Sequence, residues 1–161
     1  MLALLALPAA LLATPVQGQA SDFGHLAALV GHWRGSGDEG RVIDIRYRLI
    51  SNGSALVEEW TSPRGNQTMT VYYRDDGAVL ATHFCAQGNQ PRLTMAPQTG
   101  GRMRFTFRDA TNLKPGKSHL HDFWIEIDAY GTMRRSETYA ADAKTETETE
   151  VMVLRRVTPL P

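Results

Sequence analysis

The 161-residue chain contains a single cysteine, Cys85, so it can close no disulfide within itself. Stability in an oxidising compartment must then come from packing or from a bound group. Neither sign of charge is in excess: 17 Lys and Arg stand against 17 Asp and Glu, a formal net charge of zero. That balance argues against a general phosphate-binding surface, and nucleic acid is not an expected partner. The sequence has no nucleophile elbow, phosphate-cradling glycine loop or metalloprotease motif, and it lacks the ligand spacings of zinc motifs. It has no internal repeat of solenoid length, which excludes stacked-repeat architectures.

What is present begins with Met1–Ala20, an apolar stretch without a charged residue that ends in Gly18-Gln19-Ala20, a small-x-small pattern. Its apolar core is too short for a bilayer crossing, which takes roughly 20 residues, so residues 1–20 read as a signal peptide and no membrane span is expected. Cleavage after Ala20 leaves Ser21–Pro161 as one domain in the periplasm or outside the cell.

Ser21-Asp22 can cap a short helix that places Phe23, Leu26, Ala27 and Val30 on one stripe, with Gly31 as its stop. Beyond it the period becomes two. Ile43, Ile45, Tyr47 and Leu49 alternate with Asp44, Arg46 and Arg48, and Asn52-Gly53 signals a hairpin into Ser54–Thr61. Gln67–Arg74, Ala78–Cys85, Arg92–Ala96 and Arg102–Arg108 follow, punctuated by Asp75-Asp76-Gly77 and Thr99-Gly100-Gly101. Asp109–Ser118 is a longer polar loop. His119–Asp128 puts His119, His121, Phe123, Ile125 and Ile127 on one face, and Thr132–Tyr139 returns beside it. In the final strand the glutamates of T-E-T-E-T-E share one face, read as solvated, and Thr147, Thr149, Val151 and Val153 share the other. The sequons at Asn52 and Asn66 fall in turn-rich sequence and read as chance matches.

So many short strands with scarcely any helix predict an all-β fold: an antiparallel up-and-down β-barrel of about 8–10 strands behind a short N-terminal helix. Closure removes the edges, and the inward polar residues become the functional question. They concentrate in Thr82–Arg92, T-H-F-C-A-Q-G-N-Q-P-R. Alternation puts His83 and Cys85 on a polar face and Thr82 and Phe84 on an apolar one; Gly88 permits a sharp bend, and Asn89, Gln90 and Arg92 supply amides and a guanidinium. Such a bend can aim these groups at a carboxylate or carbonyl, or can satisfy the carbonyls of a tight corner.

Gly31-His32-Trp33-Arg34-Gly35, preceded by a short helix, resembles the G-x-W opening of lipocalin-like barrels, and with Gly37 it is similar to the G-x-W-x-G-x-G opening of nitrobindin-like haem barrels. The lipocalin resemblance implies that Trp33 closes the barrel base under a late arginine, Arg155 or Arg156. The nitrobindin-like resemblance implies a haem-ligating histidine on the last strand, where this chain has Thr149–Arg156 and no histidine. H-F-C-A-Q-G-N-Q-P-R itself resembles H-[YF]-C-x-x-G-N-Q-P-R, a motif of exported bacterial proteins of unassigned function.

Three functions are compatible with this pattern. The leading expectation is an exported barrel that binds a small, partly apolar molecule through His83, Cys85, Asn89, Gln90, Arg92 and His121, with Trp60 and Tyr73 as walls and no cofactor. The second is a transition-metal or haem site built from His83, Cys85, His119 and His121. The third is an enzyme with Cys85 as nucleophile beside His83, in which Glu58, Glu59 and Asp122 are acid–base candidates more simply read as solvated. Alternating strands do not specify an oligomeric state.

Overall fold

The computed structural model describes residues 19–62, 65–97, 100–141 and 148–157. Helix α1 (Gln19–Ala27) precedes ten strands: β1 (Gly31–Ser36), β2 (Val42–Ile50), β3 (Ala55–Thr61), β4 (Gln67–Asp75), β5 (Ala78–Phe84), β6 (Gln90–Met95), β7 (Met103–Thr111), β8 (His119–Ile127), β9 (Thr132–Ala140) and β10 (Glu148–Arg156). Each strand pairs antiparallel with the next, and β1 pairs with β10, so the meander closes into an up-and-down barrel. The leading apolar segment lies outside the described residues up to residue 18, and α1 runs through the Ala20–Ser21 junction.

The turns have the conformations their residues favour. Ser51, Asn52 and Gly53 all hold positive φ between β2 and β3, which Asn and Gly tolerate best. Along the strands the buried set recurs every second residue: Ile43, Ile45 and Tyr47 in β2, Met103 and Phe105 in β7, Met152 and Leu154 in β10.

α1 closes one end of the barrel. Phe23 and Leu26 of α1 are buried, whereas Ala27 and Val30 are exposed, and the buried stripe continues into Leu29 past the last helical turn. Complete burial of a leucine contributes roughly 1.5–3 kcal/mol. Trp33 seals the same end: its indole N–H donates to the Leu29 carbonyl at 2.7 Å, and the Arg156 guanidinium lies 4.3 Å from its ring centroid. Arg156 also donates to the carbonyls of Ala28 and Val30, capping the end of the helical segment, while Arg155 faces outward.

The centre is solid. Phe105 stacks on Phe123 at 4.6 Å, Tyr72 meets Phe105 edge-on at 5.4 Å, and Arg135 lies over Phe123 at 5.0 Å. Side chains thus fill the middle of the barrel, and among the described residues a cleft opens at the end opposite α1.

Two expectations about facing are corrected. In β8, Leu120 pairs with Tyr139 and Asp122 with Thr138, so His121 is an extra, bulged residue. The bulge leaves His121 exposed, and its ring stacks on Phe107 with centroids 5.8 Å apart. In β10 the inward face carries Glu150, Met152, Leu154 and Arg156, while Val153 is 45% exposed, the reverse of the predicted phase. Burial of Met152 and Leu154 sets the register, and Glu150 follows them inward because it shares their parity. Residues 142–147 of the Thr-Glu run lie outside the described residues.

Candidate functional site

Beneath the open end lies a fully buried polar network. The Arg135 side chain is 0% exposed. It reaches Glu58 at 2.6 Å through Nη1 and Glu137 at 2.6 Å through Nη2, and it also donates to the Tyr47 hydroxyl at 3.1 Å. Tyr72 donates to Glu58 at 2.5 Å. The Thr70 hydroxyl lies 3.5 Å from Glu58 and 3.0 Å from Nδ1 of His83. Alternation explains the assembly: Glu58 shares a face with Leu56 and Trp60, and Arg135 and Glu137 share one with Met133 and Tyr139. Glu58 is therefore a core residue, correcting its reading as solvated; Arg135 and Glu137 were not among the candidates at all.

The low-polarity surroundings set the protonation states. Burial, reinforced by Glu58, pushes the Tyr47 and Tyr72 hydroxyls well above the ordinary tyrosine value, so both stay neutral donors. Burial lowers His83 despite the opposing carboxylates Glu137 and Glu58, which favours the neutral ring. Its Nε2 has no hydrogen-bond partner among the described residues. Burial, followed by Glu137, also raises Tyr139.

Above the network a cleft of about 300 Å³ opens at the mouth. Trp60 and Tyr139 are its aromatic members, Glu137, Glu150 and Arg41 its charged ones, and Ser62, Thr68 and Ser118 supply hydroxyls. Arg41 forms an ion pair with Glu150. A larger hollow of about 880 Å³ lies on the outer wall of β1–β5, lined by Val42, Met69, Phe84 and charged residues, and shares Trp60 with the mouth.

The predicted site residues separate into three groups. Trp60 lines the mouth. His83, Cys85 and Asn89 lie close to it: His83 is in the buried network, and Cys85 and Asn89 bracket the turn after β5. In that turn the Cys85 N–H donates to the Asn89 carbonyl at 3.1 Å, and Asn89 Nδ2 donates to the Ser118 carbonyl at 3.0 Å, tying the turn to the β7–β8 loop. Gln90, Arg92, His121 and Tyr73 belong to other surroundings. Gln90 binds Thr111 and Asn112 at 2.7 and 3.0 Å, and Arg92 faces outward with two bonds to Asp109 at 2.5 and 2.7 Å. Tyr73 shares an outer-wall bond with Thr82 at 3.1 Å. Phe84 is 42% exposed, so the outer face of β5 is the one that shows an aromatic to water.

The donor set expected for a metal is not assembled. Among the described residues no group of three or more His, Cys, Asp or Glu is placed to hold a metal ion. His119 and His121 have ring centroids 5.9 Å apart, but the bulge holds one buried and the other exposed. A haem does not fit the described interior either, since Tyr72, Phe105, Phe123 and Arg135 occupy the centre. Burial pushes the Cys85 thiol up, which favours the protonated sulfur over a nucleophilic thiolate. No helix among the described residues is long and apolar enough to cross a membrane.

No model of a known protein family matches the chain, and no curated protein does either.

Proposed function

We propose that the chain is an exported, lipocalin-like barrel that receives a small, partly apolar molecule at its open end. The observation that carries this reading is the mouth cleft itself. One end is sealed by α1 and Trp33, the middle is packed, and the remaining space brings Trp60 and Tyr139 beside a few polar groups. An aromatic wall with sparse, convergent polar groups is the composition of a small-ligand site, and about 300 Å³ is at the lower end of the usual size range. The buried network supports the cleft by fixing Glu137 through Arg135, which limits the ordering cost on binding.

The apolar leader supports export, and the helix-G-x-W opening under Arg156 supports the lipocalin-like assignment. The ligand-facing residues in this reading are Trp60, Ser62, Thr68, Glu137, Tyr139 and Glu150, with His83, Cys85 and Asn89 as support. A fragment library screened by two-dimensional NMR on Ser21–Pro161 tests it. Shifts clustering on the Trp60 indole and on residues 62, 68 and 139 are the expected result. Hits confined to the outer wall of β1–β5, or no hits at millimolar fragment concentration, overturn it.

A further inference from the structure

We infer that the imidazoles of His119 and His121 form a two-coordinate site for copper(I) in the barrel wall. Neither residue lines the mouth cleft, so the site stands independently of the small-ligand reading.

The site sits where two strands part. β7 and β8 pair in register from Met103–Ile125 to Thr106–Asp122, although β7 continues to Thr111 and β8 begins at His119. Phe107 and His121, next to the last pair, and His119 beyond them form a cluster of three rings. His119 is 6% exposed, yet both of its ring nitrogens are buried with no hydrogen-bond partner among the described residues. Buried polar groups are almost always partnered, and a neutral imidazole has an N–H to place on one nitrogen and a lone pair on the other. Phe107, with its ring centroid 4.6 Å from that of His119, offers neither a donor nor a nitrogen lone pair. His121 is the other polar ring of the cluster. Its contact with Asp122 Oδ2, at 3.4 Å, engages Nδ1 and leaves Nε2 uncommitted among the described residues. One ring nitrogen leaning on a carboxylate with the other free is how metal-ligating histidines are commonly held.

Spacing separates a bridging ion from a direct bond. A ring nitrogen's lone pair points away from the ring centre, so an ion bound in line between two imidazoles lies on the line between their centroids. Two metal–nitrogen bonds of about 2 Å, added to the two ring radii, put those centroids about 6 Å apart. A direct N–H···N bond would draw them to about 5 Å. The rings of His119 and His121 stand 5.9 Å apart. Their 58° tilt is no obstacle, because each ring can rotate about an in-line bond without moving the metal. The number of donors then selects the ion. Among the described residues no third His, Cys, Asp or Glu joins the pair in a metal-holding group. Zinc and copper(II) call for larger donor sets, whereas copper(I), a closed-shell monovalent ion, is stable between two nitrogens in line. Phe107 lies 14° from parallel with His121 at 5.8 Å and covers the pair on one side. Apolar shelter of this kind favours the lower charge state of a metal.

The test is an anaerobic titration of copper(I) into the full-length chain against bicinchoninate, a chromophoric copper(I) chelator. The chain is expected to withdraw one equivalent, and His121→Ala, at an exposed position, to weaken that binding at least about tenfold. His119→Gln should do the same if the variant folds. Copper(I) is diamagnetic, so long-range proton–nitrogen NMR reads the ligands directly: the ring signals of both His119 and His121 should move on loading while those of His83 stay in place. Failure to withdraw copper, or loading that moves neither ring, overturns the site and leaves a trapped water as the partner of His119. Copper lost with Cys85→Ser instead of His121→Ala sits on the thiol and overturns it too. Equal uptake of zinc overturns the choice of copper(I).

Discussion

Glu137 and Glu150 stand directly opposite each other across the β9–β10 ladder, both turned toward the mouth of the barrel. Each carboxylate meets a different guanidinium, Arg41 beside Glu150 and, below Glu137, Arg135, which also pairs with Glu58. The mouth is therefore an electrostatic construction before it is a binding surface, and its components can be removed one at a time.

Arg135 is the component with the largest expected effect. Arg135→Met leaves Glu58 and Glu137 buried without a counter-charge and is expected to cost about 3–5 kcal/mol of stability in urea unfolding. Adding Glu58→Gln and Glu137→Gln to Arg135→Met should recover much of that loss. A single variant with wild-type stability contradicts the network.

The two late arginines separate cleanly. Arg156→Ala removes the contact over Trp33 and the donations to Ala28 and Val30, for an expected loss of about 1–2 kcal/mol. Arg155→Ala, on the outward face, should change the unfolding midpoint little. Equal effects at the two positions would show that the guanidinium over Trp33 contributes nothing specific.

Gly35 tests the closure of the barrel. A Cβ at this position meets the carbonyl oxygen of Val153 on β10, a backbone atom that cannot swing aside. Gly35→Ala is expected to destabilise by about 1–3 kcal/mol, with the first amides to lose exchange protection lying in β1 and β10. Loss of protection that begins elsewhere in the barrel argues against this seam as the strained element.

His83 gives a pH dependence with a definite sign. Burial lowers its pKa below the ordinary 6.5, so the unfolded chain takes up this proton at a higher pH than the folded one. Its contribution is fully present above about pH 6.5 and falls as the pH drops through the unfolded-state value toward the lowered folded one. The difference in stability between wild type and His83→Gln should shrink on acidification through that window. A difference that grows instead excludes a buried neutral ring.

Cys85 is predicted to be a slow thiol. Burial raises its pKa, outweighing the Gln87 N–H that donates to Sγ at 3.5 Å. Labelling by a disulfide reagent should be sluggish at neutral pH and accelerate only above the range of a free thiol. Rapid labelling at pH 7 would restore the nucleophile hypothesis.

The barrel was legible because its signals are local. Asn52-Gly53 and Asp76-Gly77 dictate turns, and Met103 and Phe105 alternate with arginines regardless of what lies across the sheet. The site was less so, since strand facing depends on register. One bulged residue in β8 is enough to break the alternation and leave His121 exposed, and no feature of H-L-H-D marks it in advance. Arg135 and Glu137 do carry a readable signal: both lie on the parity of Met133 and Tyr139, with which a solvated arginine would not align. Glu150 shares its parity with Met152 and Leu154, and the neighbouring Thr-Glu repeat masked that match.

The pairing of Trp33 with Arg156 also governs when the molecule can be completed. A ribosome emitting this chain releases nine strands before the partner of the first one exists, and until then both outer borders of the nascent sheet are open to any extended polypeptide nearby. Such a chain gains its protection only once β10 has been made, so a holding chaperone would act on it early and be dismissed by the arrival of the tenth strand.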